Sequence, residues 1–222
     1  MFVSTCSGKV TKIIYGKRRA VEEIHVSNDN QYACKNLDFT VSRNSLLKSG
    51  LWTYIRQRPY SKIANPDDTP KAIFISGYAT APLAADLDYV LAGKEEELQA
   101  AVTALGKLTD GGVHVSVGKN GNSPLASLKG ITLHKVSGPH PAGNVGAQIA
   151  KVDPINKGET VWVVSPQDLV IIGELLLTGK FNAERTIALA GSCVKNPQYY
   201  TTKIGAEVST VVYDSGLKHN DV

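Results

Sequence analysis

The sequence lacks an apolar run long enough to cross a membrane, and it has few of the residues that hold small folds together covalently or through metals. Its longest apolar stretch, residues 168–179, is far short of the roughly 20 residues that a spanning helix needs. The three cysteines, Cys6, Cys34 and Cys193, are far apart and form no CxxC pair, so the pattern favours neither a disulfide framework nor a zinc site. We therefore expect a globular protein from a reducing, intracellular compartment.

The sequence also lacks a strong excess of either charge. Its 24 Lys and Arg residues against 20 Asp and Glu residues leave a net charge of +4, and the cations are scattered apart from the stretch GKRR at residues 16–19. Proteins that bind nucleic acid usually concentrate cations on one face, so we expect no nucleic-acid partner. The 222 residues, 42% of them hydrophobic, are enough for one main domain with smaller attachments.

Strand-like and helix-like segments alternate over the central part of the chain. Two helices are predicted, the first over residues 94–108 with acids in its first turn, and the second between Ser165 as N-cap and Gly179 at its end. Apolar segments typical of strands lie at residues 72–78, 113–118, 131–138, 160–165 and 186–191. Their alternation predicts an open, mostly parallel α/β sheet.

Shorter elements are predicted on both sides of this sheet. Residues 10–14 and 21–25 alternate as a two-stranded hairpin, which is marginal on its own. Residues 41–58 have leucines at helix-like spacing and precede a Pro-rich stretch, which predicts a helical connector. Near the other end, residues 199–204 predict a strand and residues 207–213 a short helix. Since that last unit is too short to bury a core of its own, we expect the chain to be a segment of a longer protein.

A glycine-containing loop follows the strand at residues 131–138 and precedes a possible short helix. Gly138, Gly143 and Gly146 have the spacing GxxxxGxxG, which is neither the GxGxxG of dinucleotide sites nor a P-loop. Pro139 and Pro141 remove two backbone N–H donors from the loop. A rigid strand-to-helix turn is therefore favoured over a phosphate cradle.

Histidines are candidates for chemistry because their pKa lies near neutrality. His140, between the two prolines of the loop, is a candidate general acid or base, or a hydrogen-bond donor to a carbonyl; capping the turn is the alternative that we favour. His114 and His134 lie within predicted strands, so we interpret both as sheet residues. No pair of histidines has the spacing of metal ligands, and no serine has the setting of a nucleophile elbow.

A cluster of aromatic and basic residues occupies the predicted connector. It combines Trp52, Tyr54 and Tyr60 with Arg56 and Arg58. Such residues can stack on a planar ring or bind an anion, but the same residue types form the hot spots of protein interfaces. We rank the interface first.

Six stretches, taken in order, resemble one family. They are SGLWTYIRQRPYSK, KAIFISGYATAPLAA, LTDGGVHVSVGKNG, SGPHPAGNVGAQI, VWVVSPQDLVIIGELLLTGKF and RTIALAGSCVKNPQYYTTKIGA. Together they are similar to the A-subunit family of the sodium-translocating NADH:quinone oxidoreductases (Nqr). The resemblance implies a Rossmann-like sheet over residues 71–195, a partial barrel-sandwich hairpin over 1–30, a helical connector over 31–70, and the start of a soluble-ligand-binding β-grasp domain over 196–222.

The resemblance also implies a function. Such a subunit is peripheral, on the cytoplasmic side of the bacterial inner membrane, in a pump that couples NADH oxidation and quinone reduction to sodium export. It is expected to bind no cofactor itself, with FMN, FAD and iron–sulfur centres in partner subunits and quinone as substrate. We expect no catalytic or metal-binding residue in this chain. The alternatives are a structural platform that organises the other subunits and, more distantly, a nucleotide site that senses NADH.

The central domain is similar to the flavin domain of complex I and to the C subunit of the Rnf complex, and one departure from them concerns the cofactor. Where those relatives carry a glycine run of the type GLGGAGFPT, this chain has GLWTYIRQRPYSK. Its bulky side chains would block close approach of a backbone to a phosphate, which argues against bound FMN.

The residues that we assign to quinone binding are His140, Trp52, Tyr54, Arg56 and Arg58.

Overall fold

The computed structural model describes residues 3–31, 33–34 and 43–218. The strands are β1 (Gly8–Tyr15), β2 (Val21–Asn28), β3 (Arg56–Arg58), β4 (Lys62–Ile63), β5 (Ile73–Gly77), β6 (Val113–Gly118), β7 (Ile131–Val136), β8 (Val161–Val163), β9 (Glu184–Leu189) and β10 (Gln198–Lys203). The α-helices are α1 (Arg43–Lys48), α2 (Leu87–Val90), α3 (Glu95–Leu105), α4 (Val145–Val152), α5 (Pro166–Thr178) and α6 (Val208–Ser215).

The main sheet has six strands in the order β4-β3-β8-β5-β6-β7. Strands β8, β5, β6 and β7 run parallel to one another, whereas β3 runs antiparallel to both β8 and β4. The chain passes from β5 outward to β6 and β7, and then returns to β8 on the other side of β5. The prediction of a mostly parallel α/β sheet is confirmed, and the reversal of strand order between β5 and β8 is where such folds bind ligands.

Helices cover both faces of this sheet. Ile73 and Ile75 of β5 belong to the larger core beneath α3 and α5, whereas Ala72 and Phe74 pack with α4 on the opposite face. Because both faces are buried, β5 is apolar at nearly every position, as expected for a central parallel strand.

Helix α5 has the ends that its sequence predicts. Ser165 is the N-cap and accepts a hydrogen bond from the backbone N–H of Asp168, Pro166 is the first helical residue, and Gly179 adopts the left-handed conformation that ends the helix. No helix among the described residues has the length and hydropathy that a membrane span requires.

Two antiparallel hairpins flank the α/β unit. The predicted pairing of β1 with β2 is confirmed, and so is the strand predicted at residues 199–204, which is β10. The strand predicted at residues 186–191 exists as β9, but its predicted place in the parallel sheet is wrong, because β9 pairs antiparallel with β10. A strand that follows a helix has the same apolar pattern whether it joins the parallel sheet or pairs antiparallel in a hairpin. Only the identity of its partner strand distinguishes the two.

The helix predicted over residues 41–58 is correct only in part. Helix α1 ends at Lys48, Gly50 adopts a left-handed conformation with φ of 78°, and a 3-10 helix follows over Leu51–Tyr54. Residues 56–58 form β3, so the helical prediction is wrong there: Gln57 is buried between more exposed arginines, and the strand pairs with β8. The predicted connector thus contributes β3 and β4 to the main sheet; its residues 32 and 35–42 lie outside the described residues. The four-segment division of the chain stays a prediction.

Candidate functional site

A cavity of about 450 Å³ opens at the carboxyl ends of β5 and β8, where the strand order reverses. We call it the switch-point cavity. Its walls are largely apolar and include Leu87, Val145, Val163 and Pro166. Polar groups enter from four segments of the chain: Tyr54, Arg56, Ser76, Thr80, His140, Ser165 and Asp168.

The glycine-containing loop forms one wall of this cavity and packs tightly against the residues after β5. The N–H of Gly143 donates to the hydroxyl of Thr80 at 3.0 Å, and the hydroxyl of Ser76 donates to the carbonyl of Gly143 at 3.3 Å. A β-carbon at position 143 would lie 2.6 Å from the backbone nitrogen of Thr80, so this position requires glycine for close approach. Asn144 then caps α4. The loop is a packed strand-to-helix turn.

His140 lies at the exposed rim of the cavity. Its Nδ1 is 3.2 Å from the hydroxyl oxygen of Thr80, which also accepts the N–H of Gly143. Thr80 therefore links the histidine ring to the turn.

Tyr54 lies opposite, at the end of the 3-10 helix, and is half-buried. Burial, reinforced by the nearby carboxylate of Asp168, raises the pKa of Tyr54 above its ordinary value of 10.0, while Arg185 acts in the opposite direction. The phenol is therefore neutral at physiological pH and available as a hydrogen-bond donor.

Asp168 is held in place by partners on both sides. Its carboxylate accepts the hydroxyl of Ser165 at 2.6 Å and forms an ion pair with Arg185 of β9. The adjacent Gln167 exchanges two hydrogen bonds with the backbone of Thr186, at 3.0 and 2.9 Å. The first turn of α5 thus joins the cavity to the β9–β10 hairpin.

Three of the five residues assigned to quinone come together here, namely His140, Tyr54 and Arg56. Arg56 is exposed, and its guanidinium donates to the carbonyl of Ser61 at 2.6 Å. The other two residues do not line the cavity. Arg58 is half-buried on β3.

Trp52 belongs to the core rather than to the cavity. It is 3% exposed, its Nε1 donates to the carbonyl of Ala64 at 2.7 Å, and its ring meets Trp162 edge to face at 5.3 Å. Of the bulky residues in this stretch, Tyr54 and Arg56 line the cavity and Trp52 does not; its assignment to quinone binding stays a prediction.

Sequence reasoning does not single out Tyr78, Thr80, Ser165 and Asp168 as site residues. The available signal is their position, since each closely follows the carboxyl end of β5 or β8, where ligand-binding residues of open α/β sheets gather. Arg185 gives no such signal, because it reaches the site from a different sheet.

The two strand histidines are sheet residues, as predicted, but they also meet. Nδ1 of His114 lies 2.9 Å from Nε2 of His134, with the rings stacked at 5.2 Å, and Phe74 stacks on the other side of His114 at 4.8 Å. Burial, with the neighbouring His134 adding to it, lowers the pKa of His114 below its usual 6.5. Within the described ranges, no three His, Cys, Asp or Glu side chains are grouped so that they could hold a metal ion.

A mostly parallel sheet covered on both faces, with its cavity at the reversal of strand order, defines the class of Rossmann-like α/β domains. A chain of an NAD+-reducing [NiFe]-hydrogenase in its H2-reduced state shares this fold, with a TM-score of 0.56 and 12% identity over 79% of this chain and 39% of that chain.

Family models identify the particular group within this class. The model described as the NqrA second alpha/beta domain matches residues 38–181, and the model described as the NQRA C-terminal domain matches residues 186–222. This chain belongs to the NqrA family, so the resemblance noted in the sequence is confirmed.

Curated relatives agree with this assignment. Proteins named as the A subunit of Na(+)-translocating NADH-quinone reductase are 36% identical in Neisseria meningitidis serogroup B (95% of this chain, 49% of that protein) and 37% identical in Cellvibrio japonicus (94% and 49%). The same name applies to a protein of Pseudomonas aeruginosa that is 37% identical (91% and 47%). The chain spans about half the length of the curated relatives it matches.

Proposed function

We propose that this chain is part of a peripheral, cofactor-free subunit of a sodium-translocating NADH:quinone reductase, on the cytoplasmic side of the inner membrane, and that the switch-point cavity binds the quinone ring. The names of the relatives support the complex. The observation that carries the quinone site is the combination, in one cavity, of apolar walls with Tyr54, Arg56 and His140.

The chemistry of the cavity matches that of a quinone headgroup. A planar apolar ring needs a concave apolar site with a few donors for its carbonyl oxygens. Val145 and Val163 supply apolar walls, and the neutral phenol of Tyr54 and the guanidinium of Arg56 supply donors. His140, at the rim, is placed to deliver a proton as the quinone is reduced.

The electrons for that reduction come from partner subunits that carry FMN, FAD and iron–sulfur centres. The absence of a flavin from this chain is itself part of the proposal. It is supported by Tyr54 and Arg56, which stand beside the cavity in the stretch where the flavin-binding relatives have glycines. This chain then binds and orients the ring and supplies protons, and the other subunits supply the redox chemistry.

A calorimetric titration of the full-length subunit with a short-chain ubiquinone tests the site. We expect saturable binding at about one site, weakened about fivefold to tenfold in Tyr54→Phe and in His140→Ala, since each removes one hydrogen bond. Lys135→Gln, at the far edge of the sheet, is the control that should bind like the wild type. FMN and NADH, titrated in parallel, should give no binding heat.

Two results would contradict the proposal. Saturable FMN or NADH binding would replace the quinone site with a nucleotide site. No quinone binding by the wild-type subunit would leave the structural platform as the function of this domain.

A further inference from the structure

The hairpin between β3 and β4 exposes an aromatic side chain that has no role in the core. Tyr60, in the turn of this hairpin, is 90% exposed, and Ile63 of β4 is 38% exposed. We call the group formed by Arg56, Arg58, Tyr60, Lys62 and Ile63 the β3–β4 tip. Because β4 is the outermost strand of the six, this tip lies at the edge of the sheet.

The backbone of the turn is unfavourable by itself. Tyr60 and Ser61 have φ angles of 62° and 49°, in the left-handed region that is unfavourable for a residue with a side chain. Hydrogen bonds hold the turn in this shape: the Ser61 N–H donates to the Pro59 carbonyl at 2.7 Å, and Arg56 donates to the Ser61 carbonyl at 2.6 Å. Hydrogen bonds therefore hold a strained turn that exposes a tyrosine ring to solvent. The stability of the fold does not explain why a tyrosine is exposed at this position.

The charge around this ring is of one sign. Arg56, Arg58 and Lys62 carry three positive charges within seven consecutive residues, and none of them forms an ion pair with an acid in the part of the chain that the structure describes. Asp68, a nearby acid, instead accepts hydrogen bonds from Gln57 and Asn65. Their positive charge is therefore not neutralised by an acid of the described residues, and Lys62, which is exposed, is the cation most accessible to an external partner.

We propose that the β3–β4 tip docks on an acidic surface of a partner protein, with Tyr60 entering an apolar recess ringed by carboxylates. Tyrosine and arginine are the residues that most often dominate binding energy at protein interfaces, and complementary charge directs such a partner to the correct orientation. A membrane would need a wider apolar face than one tyrosine and one half-exposed isoleucine, so a protein is the occupant that fits.

The β3–β4 tip lies next to the switch-point cavity. Arg56 belongs to the tip and also lines the switch-point cavity. A protein docked on the tip would therefore stand at the mouth of the cavity, where an electron donor to a bound quinone must be. The inference rests on the proposed membership of a multi-subunit complex, but it does not depend on the ligand in the cavity.

Two substitutions in the full-length subunit test the tip without touching the cavity. Tyr60→Asn keeps a residue that tolerates the left-handed conformation, and Lys62→Gln removes one charge. Each variant is expressed with all other subunits of the complex, and the fraction of the tagged subunit that co-purifies with them is measured at low and at high salt. Lys135→Gln, an exposed lysine on the opposite edge strand β7, is the matched control.

We expect Tyr60→Asn to reduce association about tenfold or more, and Lys62→Gln to reduce it less and only at low salt. A photoreactive phenylalanine analogue at position 60 should crosslink to another subunit, whereas the same group at position 135 should not. Urea denaturation of the isolated variants should match that of the wild type, which shows that the fold is intact.

The outcomes separate the two proposals. If the wild-type protein assembles with its partners and both tip variants assemble equally well, the docking surface is wrong and the proposed function stands. If the wild-type protein does not assemble at all, membership of the complex fails and the docking inference fails with it. If the variants instead lose binding to phosphatidylglycerol vesicles while assembly is unchanged, a lipid surface is the partner and the inference is overturned.

Discussion

Gly173 of α5 lies directly against the backbone carbonyl of Glu97 in α3, with no room for a side chain between the two helices. A β-carbon at position 173 would overlap the carbonyl, the nearest approach being to the oxygen and carbonyl carbon of Glu97. The two helices cover the same face of the sheet and share its larger core. This contact therefore sets how closely they approach.

The first prediction follows from this contact. Gly173→Ala should lower the free energy of unfolding by about 2 to 3 kcal/mol, because overpacking forces the helices apart. Gly106→Ala is the matched control: Gly106 has a right-handed backbone at the end of α3, and its β-carbon would meet only Val113, at 3.9 Å. Urea denaturation should show the control equal to the wild type or more stable by a few tenths of a kcal/mol. Equal stability of both variants would contradict the close packing.

The second prediction concerns the two strand histidines and pH. Burial and His134 lower the pKa of His114 below its unfolded value of about 6.5, while Asp153 and a backbone bond to Gly111 oppose the shift. The folded state therefore binds fewer protons than the unfolded state once the pH falls below about 6.5. The stability that neutral His114 contributes is complete above that pH and is lost as the pH falls through its folded pKa.

The measurement is a denaturation series between pH 7.5 and pH 5 on the wild type and on His114→Gln. We expect the wild type to lose more stability on acidification than the variant does. An imidazole NMR titration of the folded protein measures the pKa of His114 directly. A value at or above 6.5 would show that the prediction is wrong.

The third prediction separates a core residue from a cavity residue among the aromatic residues of the sequence cluster. Trp52→Phe should lower the free energy of unfolding by about 2 kcal/mol, because it removes the hydrogen bond to Ala64 and part of the contact with Trp162. Quinone affinity of the folded variant should be unchanged. Tyr54→Phe should do the reverse, weakening quinone binding with little change in stability. If Trp52→Phe weakens binding as much as Tyr54→Phe does, Trp52 touches the ligand.

The elements that local chemistry determines can be predicted from the sequence. Helix α5 is the best example, since Ser165, Pro166 and Gly179 define its ends without help from any distant residue. Strand β5 is equally clear, because burial on both faces leaves it apolar at nearly every position. The strand-to-helix turn around Gly143 also follows, because Pro139, Pro141 and the glycine favour a rigid connection.

The predictions that fail depend on contacts between residues far apart in the chain. The pattern at Thr186 predicts the wrong sheet because the partner strand β10 is not visible in the pattern of β9 itself. Residues 56–58 are predicted as helix because three residues are too few to show the alternation of a strand. The contact between His114 and His134 depends on the register of β6 with β7. The ion pair of Arg185 with Asp168 depends on how the β9–β10 sheet is placed beside α5.

The antiparallel direction of β3 has a consequence for how this cavity can change. Arg56, the first residue of β3, lies beside Val163, the last residue of β8, so on this side the cavity is completed by Tyr54 and Arg56, at the start of an antiparallel strand. The side chains that line the cavity on this side belong to a short stretch that contributes nothing to the parallel hydrogen-bond ladders. On this side, residues that line the cavity can therefore change without altering the parallel hydrogen-bond ladders of β5, β6, β7 and β8.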